Sequence, residues 1–371
     1  MSGTKGAISP SEHRLLRDER TGARVNQLTA HPSINHPAYF LNSSFSADQR
    51  SLYFTSYRTG EAQLFEVGFP NGEIRQLTAD EPIHPFSPTV AASGEIFFVR
   101  GGAIWALDPK GLEERPIADF AGQLGECSLS GNEAWFVAAC RRDEGWGVAL
   151  GKTDGSEQSF IPFPRTIIHP QFCPIDSEWI EFAGDPAPRM HRVRRDGTGL
   201  ECLYEHDNEE FLVHETFLGQ SRDIVFTVWP RALKRLDWKT REIATIADFN
   251  AWHITPNRVG TKVLCDTVHP DIGLQLVDVA TGDRKTICYS QATSQGTQWK
   301  TSRYALAEDW AAAQSSADKD RALSWMEMAT DSVYGPQWTH PHPSFSPDET
   351  MVVYASDRSG STQVYVAETE P

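Results

Sequence analysis

No run of about 18 consecutive apolar residues occurs in this chain, so no segment has the length of a membrane-crossing helix. The first twenty residues, Met1 to Arg20, are polar and lack the apolar stretch of a secretory leader, which makes the cytoplasm the expected location. The six cysteines (Cys127, Cys140, Cys173, Cys202, Cys265 and Cys288) never form a CxxC pair. Most lie in or beside apolar runs, as reduced core thiols do. No stretch interleaves Lys and Arg with aromatics, and the formal net charge is −16, a field that repels polyphosphate and argues against a nucleic-acid partner. There is no GxSxG elbow, no Walker loop and no HExxH.

What is present reads as β-rich and turn-rich. Aromatics make up 11% and include 11 Trp, while 27 Gly and 23 Pro are scattered along the 371 residues rather than clustered. The hydrophobic share of 39% is ample for a core, and the length suits a barrel or a repeat architecture.

A repeat is visible. Pro343 to Gly360 reads as strand entry, a turn at Ser346–Glu349, an apolar strand and a second turn, with Gln363-Val-Tyr-Val-Ala as the next strand. Ser44 to Phe54 repeats the pattern, followed by Gln63-Leu-Phe-Glu-Val and Ile74-Arg-Gln-Leu-Thr. Further copies place a second strand at Glu95-Ile-Phe-Phe-Val, Ala134-Trp-Phe-Val, Trp179-Ile-Glu-Phe, Asp223-Ile-Val-Phe-Thr and Lys262-Val-Leu-Cys. Seven units with a spacing of roughly 40 to 45 residues give an all-β, seven-bladed β-propeller, one domain over residues 1–371. The last unit stops after about three strands. Thr21 to Thr29 resembles the outer strand Gly72 to Thr78, so an N-terminal strand is expected to close the last blade. Between blades six and seven, Ala-, Leu-, Glu- and Met-rich sequence around 301–330 predicts a short helical insertion.

Aligning the units on the Phe of the first strand places Asn42, Ser87, Glu126, His169, His214, His253 and His342 three residues earlier. First strands line a propeller's channel, so these residues are expected to form one polar ring. Four of them are His, the commonest ligand for divalent transition metals and a base near neutral pH. The densest cluster is Gln337-Trp-Thr-His340-Pro-His342. Two His one residue apart on an extended strand project the same way. With His253 from the neighbouring blade and the Gln337 amide oxygen they offer three nitrogens and an oxygen, a set suited to Mn, Fe, Zn or Ni.

At these residues the chain resembles the oligogalacturonate lyases of pectin degradation, which are seven-bladed propellers. The Gln337 to Pro347 stretch is similar to that family's metal-binding Gln-x-x-His-x-His segment, and His253 in Ala251-Trp-His-Ile-Thr matches a third family ligand. His214-Glu-Thr-Phe resembles the segment with the family's base, and Pro188-Arg189-Met190, leading into Arg195-Asp-Gly-Thr-Gly, its catalytic Arg segment. Gln27-Leu-Thr and His36-Pro-Ala-Tyr39-Phe40 match as well. The resemblance runs over most of the chain, and its specific part is the Gln-x-x-His-x-His segment. It implies an Mn2+-dependent lyase that cleaves short 4-linked galacturonates by β-elimination. His253, Gln337, His340 and His342 would hold the metal, His214 would be the base, and Arg189 would face substrate carboxylate or developing charge. His36, Tyr39 and His169 are the expected substrate-binding residues. The expected partner is an acidic oligosaccharide, with the protein a monomer or small homo-oligomer.

A shorter connection between blades three and four than in that family, and a longer one near 301–330, leave room for another uronate. Two other readings stand beside the lyase. One is a non-catalytic propeller platform of the TolB or WD40 kind. The other is a metal-dependent hydrolase or epimerase, with His169 or Glu126 as a second base across the channel. The propeller of prolyl peptidases is excluded, because the chain has no room for their hydrolase domain.

Overall fold

The computed structural model describes residues 3–207, 209–268, 270–294 and 337–369. Seven antiparallel sheets follow one another along the chain. Blade 1 runs Asn35–Pro37, Ser51–Ser56, Gln63–Gly68 and Ile74–Gln76. Blade 2 runs Thr89–Val90, Ile96–Arg100, Ala103–Asp108 and Glu113–Asp119. Blade 3 begins at Gln123–Leu129, blade 4 at Thr166–Cys173, blade 5 at Leu212–Phe217 and blade 6 at Ala251–Pro256, each strand pairing with the next in order. Blade 7 holds Ser344–Phe345, Met351–Ser356 and Gln363–Glu368. The expected helical insertion at about 301–330 lies outside the described residues. Among those residues no helix is long and apolar enough to cross a membrane.

The N-terminal closure is more extensive than a single strand. Arg24–Gln27 pairs antiparallel with the last strand, Val25 opposite Ala367 and Gln27 opposite Tyr365. Arg14–Arg17 then pairs with Arg24–Gln27 and extends blade 7 to five strands. Before that hairpin, Ile8–Ser9 pairs with Ile74–Gln76 on the outer edge of blade 1. One segment therefore staples the first blade and the last.

The alternation of the strands explains the core. A blade cannot bury its two faces alone, and side chains on opposite faces meet opposite neighbours. Seven apolar clusters result, one at each blade interface. Phe97, Val99 and Ile104 of blade 2 meet Phe136, Ala138 and Cys140 of blade 3. At the seam, Leu28, Val353, Val364 and Val366 meet Phe45, Leu52, Phe54 and Phe65 of blade 1. All six cysteines are free thiols, five of them buried.

The first strands of blades 3, 4, 5 and 6 share an irregularity that positions the site. Each carries one surplus residue. Two residues between Leu124 and Cys127 face one on the partner strand, and the same holds between Ile168 and Gln171, Val213 and Thr216, and Ala251 and Ile254. Such bulges bend a strand and re-aim its side chains. Glu126, His169, His214 and His253 sit in these four bulges. His169, His214 and His342 have φ of 55°, 58° and 46°. For a non-glycine residue that left-handed backbone costs roughly 1–2 kcal/mol, and His is among the types that take it most readily.

Candidate active site

The bulges turn the imidazoles toward the axis. His169 and His214 lie 5.9 Å apart between ring centroids, His214 and His253 4.4 Å, and His253 and His342 3.8 Å. His340 stands 5.5 Å from His253. All five are buried. Blade 1 closes the circle in a different way. Between Pro37 and Phe45 its first strand leaves the sheet, and Ala38 to Ser44 face the single residue Tyr53. This loop carries Tyr39 and Phe40 into the channel. The Phe40 ring is 5.3 to 6.3 Å from His169, His214, His253 and His342 and forms the floor beneath them. Tyr39 packs 5.0 Å from His342, and its hydroxyl is hydrogen-bonded to His169 Nε2 at 2.8 Å.

Two members of the expected ring do other work. Asn42 lies beyond Phe40 and donates to the Cys127 carbonyl at 3.3 Å. Ser87 Oγ donates to the His84 carbonyl and accepts from Val99 N, so it serves the backbone. Glu126 accepts from the His169 amide at 2.7 Å. A cavity of about 730 Å³ fills the opposite mouth of the channel, with Phe40 and Asn42 in its wall and none of the histidines. The polar groups Gln171, Thr255 and Asn257 that line it are bonded within the chain. The candidate metal ligands therefore lie on the opposite side of Phe40 from this cavity.

The metal-ligand candidates present a consistent donor pattern. Asp266, itself buried, accepts from His253 N at 2.7 Å and from His253 Nδ1 at 2.7 Å, and also from His342 N at 3.3 Å. Its carboxyl is pushed up to about 7 by burial, against the amides that hold it. Because Nδ1 of His253 donates to Asp266, the lone pair is left on Nε2, which is buried with no partner. His342 is the mirror case. Its Nε2 donates to the Gln337 carbonyl at 3.1 Å, and the lone pair on Nδ1 has no partner. Gln337 sits in the short turn Gln337–Thr339, and both polar atoms of its amide are buried without a partner. Buried polar atoms without partners are rare and costly. Here they are two imidazole lone pairs and an amide on adjacent segments, and they fit a divalent cation. His340 is committed differently, since its Nδ1 accepts from Trp252 Nε1 at 3.2 Å. Among the described residues no three imidazole, thiol or carboxylate donors already converge at metal-ligand distance.

Burial holds the ring neutral. It lowers His253, His342 and His214 well below their ordinary value, and His169 to about 3. Neutral imidazole is the form that binds metal or accepts a proton. His214 Nδ1 is buried without a partner. His36 is also neutral, at about 4 through burial; its Nδ1 donates to the Pro37 carbonyl and its ring stacks on Phe86 at 4.6 Å.

Arg189 lies on the turn after Asp176–Asp185 and reaches toward the strand that carries His214. Its Nε donates to Glu215 Oε1 at 3.0 Å and Nη1 donates to Asp185. Burial alone would lower Arg189, but the two carboxylates outweigh it and hold the guanidinium charged. Glu181 is fully buried next to this group with neither carboxyl oxygen bonded. Burial, then the Glu215 charge, raise it well above the ordinary value, against Arg189.

Asp266, Glu215 and Glu181 were not picked out by sequence reasoning. Their signal was a carboxylate inside an apolar strand, as in Val263-Leu-Cys-Asp266 and Trp179-Ile-Glu181-Phe. The floor residue Phe40 gave no signal beyond its place in the matching His36 to Phe40 stretch.

No family model matches the chain. It is 20% identical to the oligogalacturonide lyase of Pectobacterium atrosepticum over an alignment of 402 residues, covering 98% of this chain and 97% of that one. It is 20% identical to the oligogalacturonate lyase of Dickeya dadantii, with the same coverage. Among solved structures, an oligogalacturonate lyase in complex with manganese superposes with a TM-score of 0.81 at 19% identity, over 99% of this chain and 98% of that one. The oligogalacturonate lyase of Vibrio parahaemolyticus gives 0.78 at 19% identity, over 98% of each chain. The resemblance thus extends over the whole chain and the whole propeller.

Proposed function

We propose that this chain is a metal-dependent oligogalacturonate lyase that cleaves short 4-linked galacturonates by β-elimination. The observation that carries the reading is the pair of unpartnered lone pairs on His253 and His342, both tied to Asp266, with the neutral His214 ring 4.4 Å from His253. Full-length similarity to lyases of this kind supports it.

β-Elimination removes the C5 proton beside a carboxylate and expels the oxygen on C4. That proton is barely acidic while the carboxylate keeps its full charge. A divalent cation, with Mn2+ favoured, supplies Lewis-acid stabilisation of that carboxylate when bound. His253 Nε2, His342 Nδ1 and the Gln337 amide oxygen would hold it, and His340 would join by exchanging its bond with Trp252. His214 takes the C5 proton, a task its neutral state suits. Arg189 is fixed by Glu215 and Asp185 beside His214, where N–H groups left over from those two pairs would donate to the developing anion. The Tyr39 hydroxyl, bonded to His169, and the His36 ring are read as contacts to the sugar. Phe40 closes the site from below and keeps water from rising through the channel. The free cysteines are consistent with a cytoplasmic enzyme.

The test is the ultraviolet absorbance of the conjugated unsaturated product, followed with digalacturonate and Mn2+. A rise that EDTA abolishes and Mn2+ restores is expected. No rise with galacturonate or with other uronate oligosaccharides, by a protein that holds Mn2+, would overturn the lyase reading in favour of a binding platform.

A further inference from the structure

The cation best placed to take a substrate carboxylate on this face is not Arg189. Arg189 is already engaged by two carboxylates, Glu215 and Asp185, so the group as a whole carries no spare positive charge. Arg165 is its neighbour and is arranged in the opposite way. It stands immediately before the innermost strand of blade 4, half-buried, four residues ahead of His169. Its guanidinium is held by neutral acceptors only. Nη1 donates to the Pro186 carbonyl, and Nη2 donates to the Pro188 carbonyl at 2.9 Å and to His191 Nε2 at 3.1 Å. The His191 tautomer agrees with this, since its Nδ1 donates to the Arg189 carbonyl at 2.8 Å. Among the described residues no carboxylate lies within ion-pair distance of Arg165. Three of its five N–H groups are used, and Nε–H and one Nη1–H remain.

The placement around the rim is as informative as the charge. The metal-ligand candidates are on blades 6 and 7, His214 is on blade 5, and Arg165 is on blade 4. A uronate bound at the metal with its C5 against His214 would extend its next sugar toward blade 4. The chain as a whole is strongly acidic, so a substrate with a second carboxylate needs a local cation there. An arginine oriented in advance by three bonds to neutral acceptors, with Asp185 and Glu205 acting on its charge only through space, suits that task.

We propose that Arg165 binds the carboxylate of the uronate unit adjacent to the one cleaved, and so selects an oligouronide over a single uronate or a neutral extension. The inference rests on the lyase reading for the identity of the site and adds the substrate contact that reading lacks.

The experiment pairs turnover with binding. Arg165→Gln removes the charge but keeps an amide donor, and Arg165→Lys keeps the charge but cannot make the three-way contact with Pro186, Pro188 and His191. For digalacturonate, Arg165→Gln is expected to raise KM by about 10- to 100-fold with kcat changed less than about threefold, and Arg165→Lys to raise KM less than Arg165→Gln. Equal losses of kcat in both variants, with KM unchanged, would show instead that Arg165 only braces the Arg189 turn, and would overturn the proposal. Calorimetry with digalacturonate in the His214→Ala background reads the same contact without turnover. There, loss of affinity on adding Arg165→Gln supports the proposal even if the unmodified protein proves not to be a lyase. Unaltered affinity refutes it even if the lyase activity is confirmed.

Discussion

Asp266→Asn is the sharpest test of how the candidate metal centre is built. Asp266 uses its two oxygens to accept three N–H groups, the amide and ring Nδ1 of His253 and the amide of His342. Asparagine offers one acceptor oxygen and an NH2. Whichever way the amide turns, one N–H of residue 266 faces an N–H of His253. If it faces the backbone amide, two buried donors oppose each other. If it faces the ring, His253 escapes only by moving its proton to Nε2, which removes the lone pair that would bind the cation. Losing a hydrogen bond to a charged acceptor costs about 1.5–3 kcal/mol, and each decade of affinity is about 1.4 kcal/mol. Mn2+ affinity should therefore fall about 10- to 100-fold, the usual range for carboxylates behind a ligating His. The assay is calorimetric titration of EDTA-stripped protein with Mn2+, alongside His214→Ala, which should bind Mn2+ as the unmodified protein does. A melting temperature within a few degrees would confirm the fold. If Asp266→Asn bound Mn2+ within about twofold of the unmodified protein, the assignment of His253 as an Nε2 ligand would be wrong.

Three further outcomes are expected. His214→Ala should keep Mn2+ but lose at least about 100-fold in kcat; retained turnover would remove its role as the base. Glu181 has a raised value in the folded protein, so it holds its proton there to higher pH than in the unfolded chain, where it ionises near about pH 4.3. Its contribution is then fully present at low pH and declines as pH rises, by at most about 1.4 kcal/mol per pH unit. Glu181→Gln should remove this slope in urea melts between about pH 5 and 7, and an unchanged slope would refute the assignment. Leu28→Ala, at the seam between the last blade and the first, should cost about 2–5 kcal/mol, read as a shifted denaturation midpoint with unchanged Mn2+ affinity.

Most of the architecture was legible because a propeller repeats its grammar. The second strands begin at Ile96, Trp135, Asp176, Ile224 and Lys262, none more than three residues from its expected start, since each is a compact apolar run between turn residues. The pairing of Arg24–Gln27 with the last strand was readable from its likeness to Ile74–Gln76. Its continuation into Arg14–Arg17, and the addition of Ile8–Ser9 to blade 1, was not, because polar edge strands carry little periodicity. The ring was correct where a bulge turns its residue inward, at Glu126, His169, His214 and His253. It failed at Asn42, because no spacing rule foresees that Ala38 to Ser44 leave the sheet, and at Ser87, whose hydroxyl is taken by the backbone of His84 and Val99. The partners Asp266 and Glu215 stayed hidden for another reason. A second-strand carboxylate matters only through the side chain it meets across the blade, and that meeting is tertiary.

The five-stranded last blade also sets a timetable for synthesis. Its two outer strands, Arg14–Arg17 and Arg24–Gln27, are made more than 300 residues before their partner Gln363–Glu368. At about 5 to 20 residues per second, the early strands wait on the order of tens of seconds for that partner. Through that wait Val25 and Leu28, both buried in the finished ring, have nothing to cover them but the nascent chain. Six blades can stack in order as they emerge, but the circle cannot shut until Gln363–Glu368 has been made. Closure then joins segments more than 300 residues apart, which makes it the slow, non-local step of folding. Loss of Gln363–Glu368 would therefore leave Arg14–Arg17 and Arg24–Gln27 orphaned, and with them an exposed edge open to association with other chains.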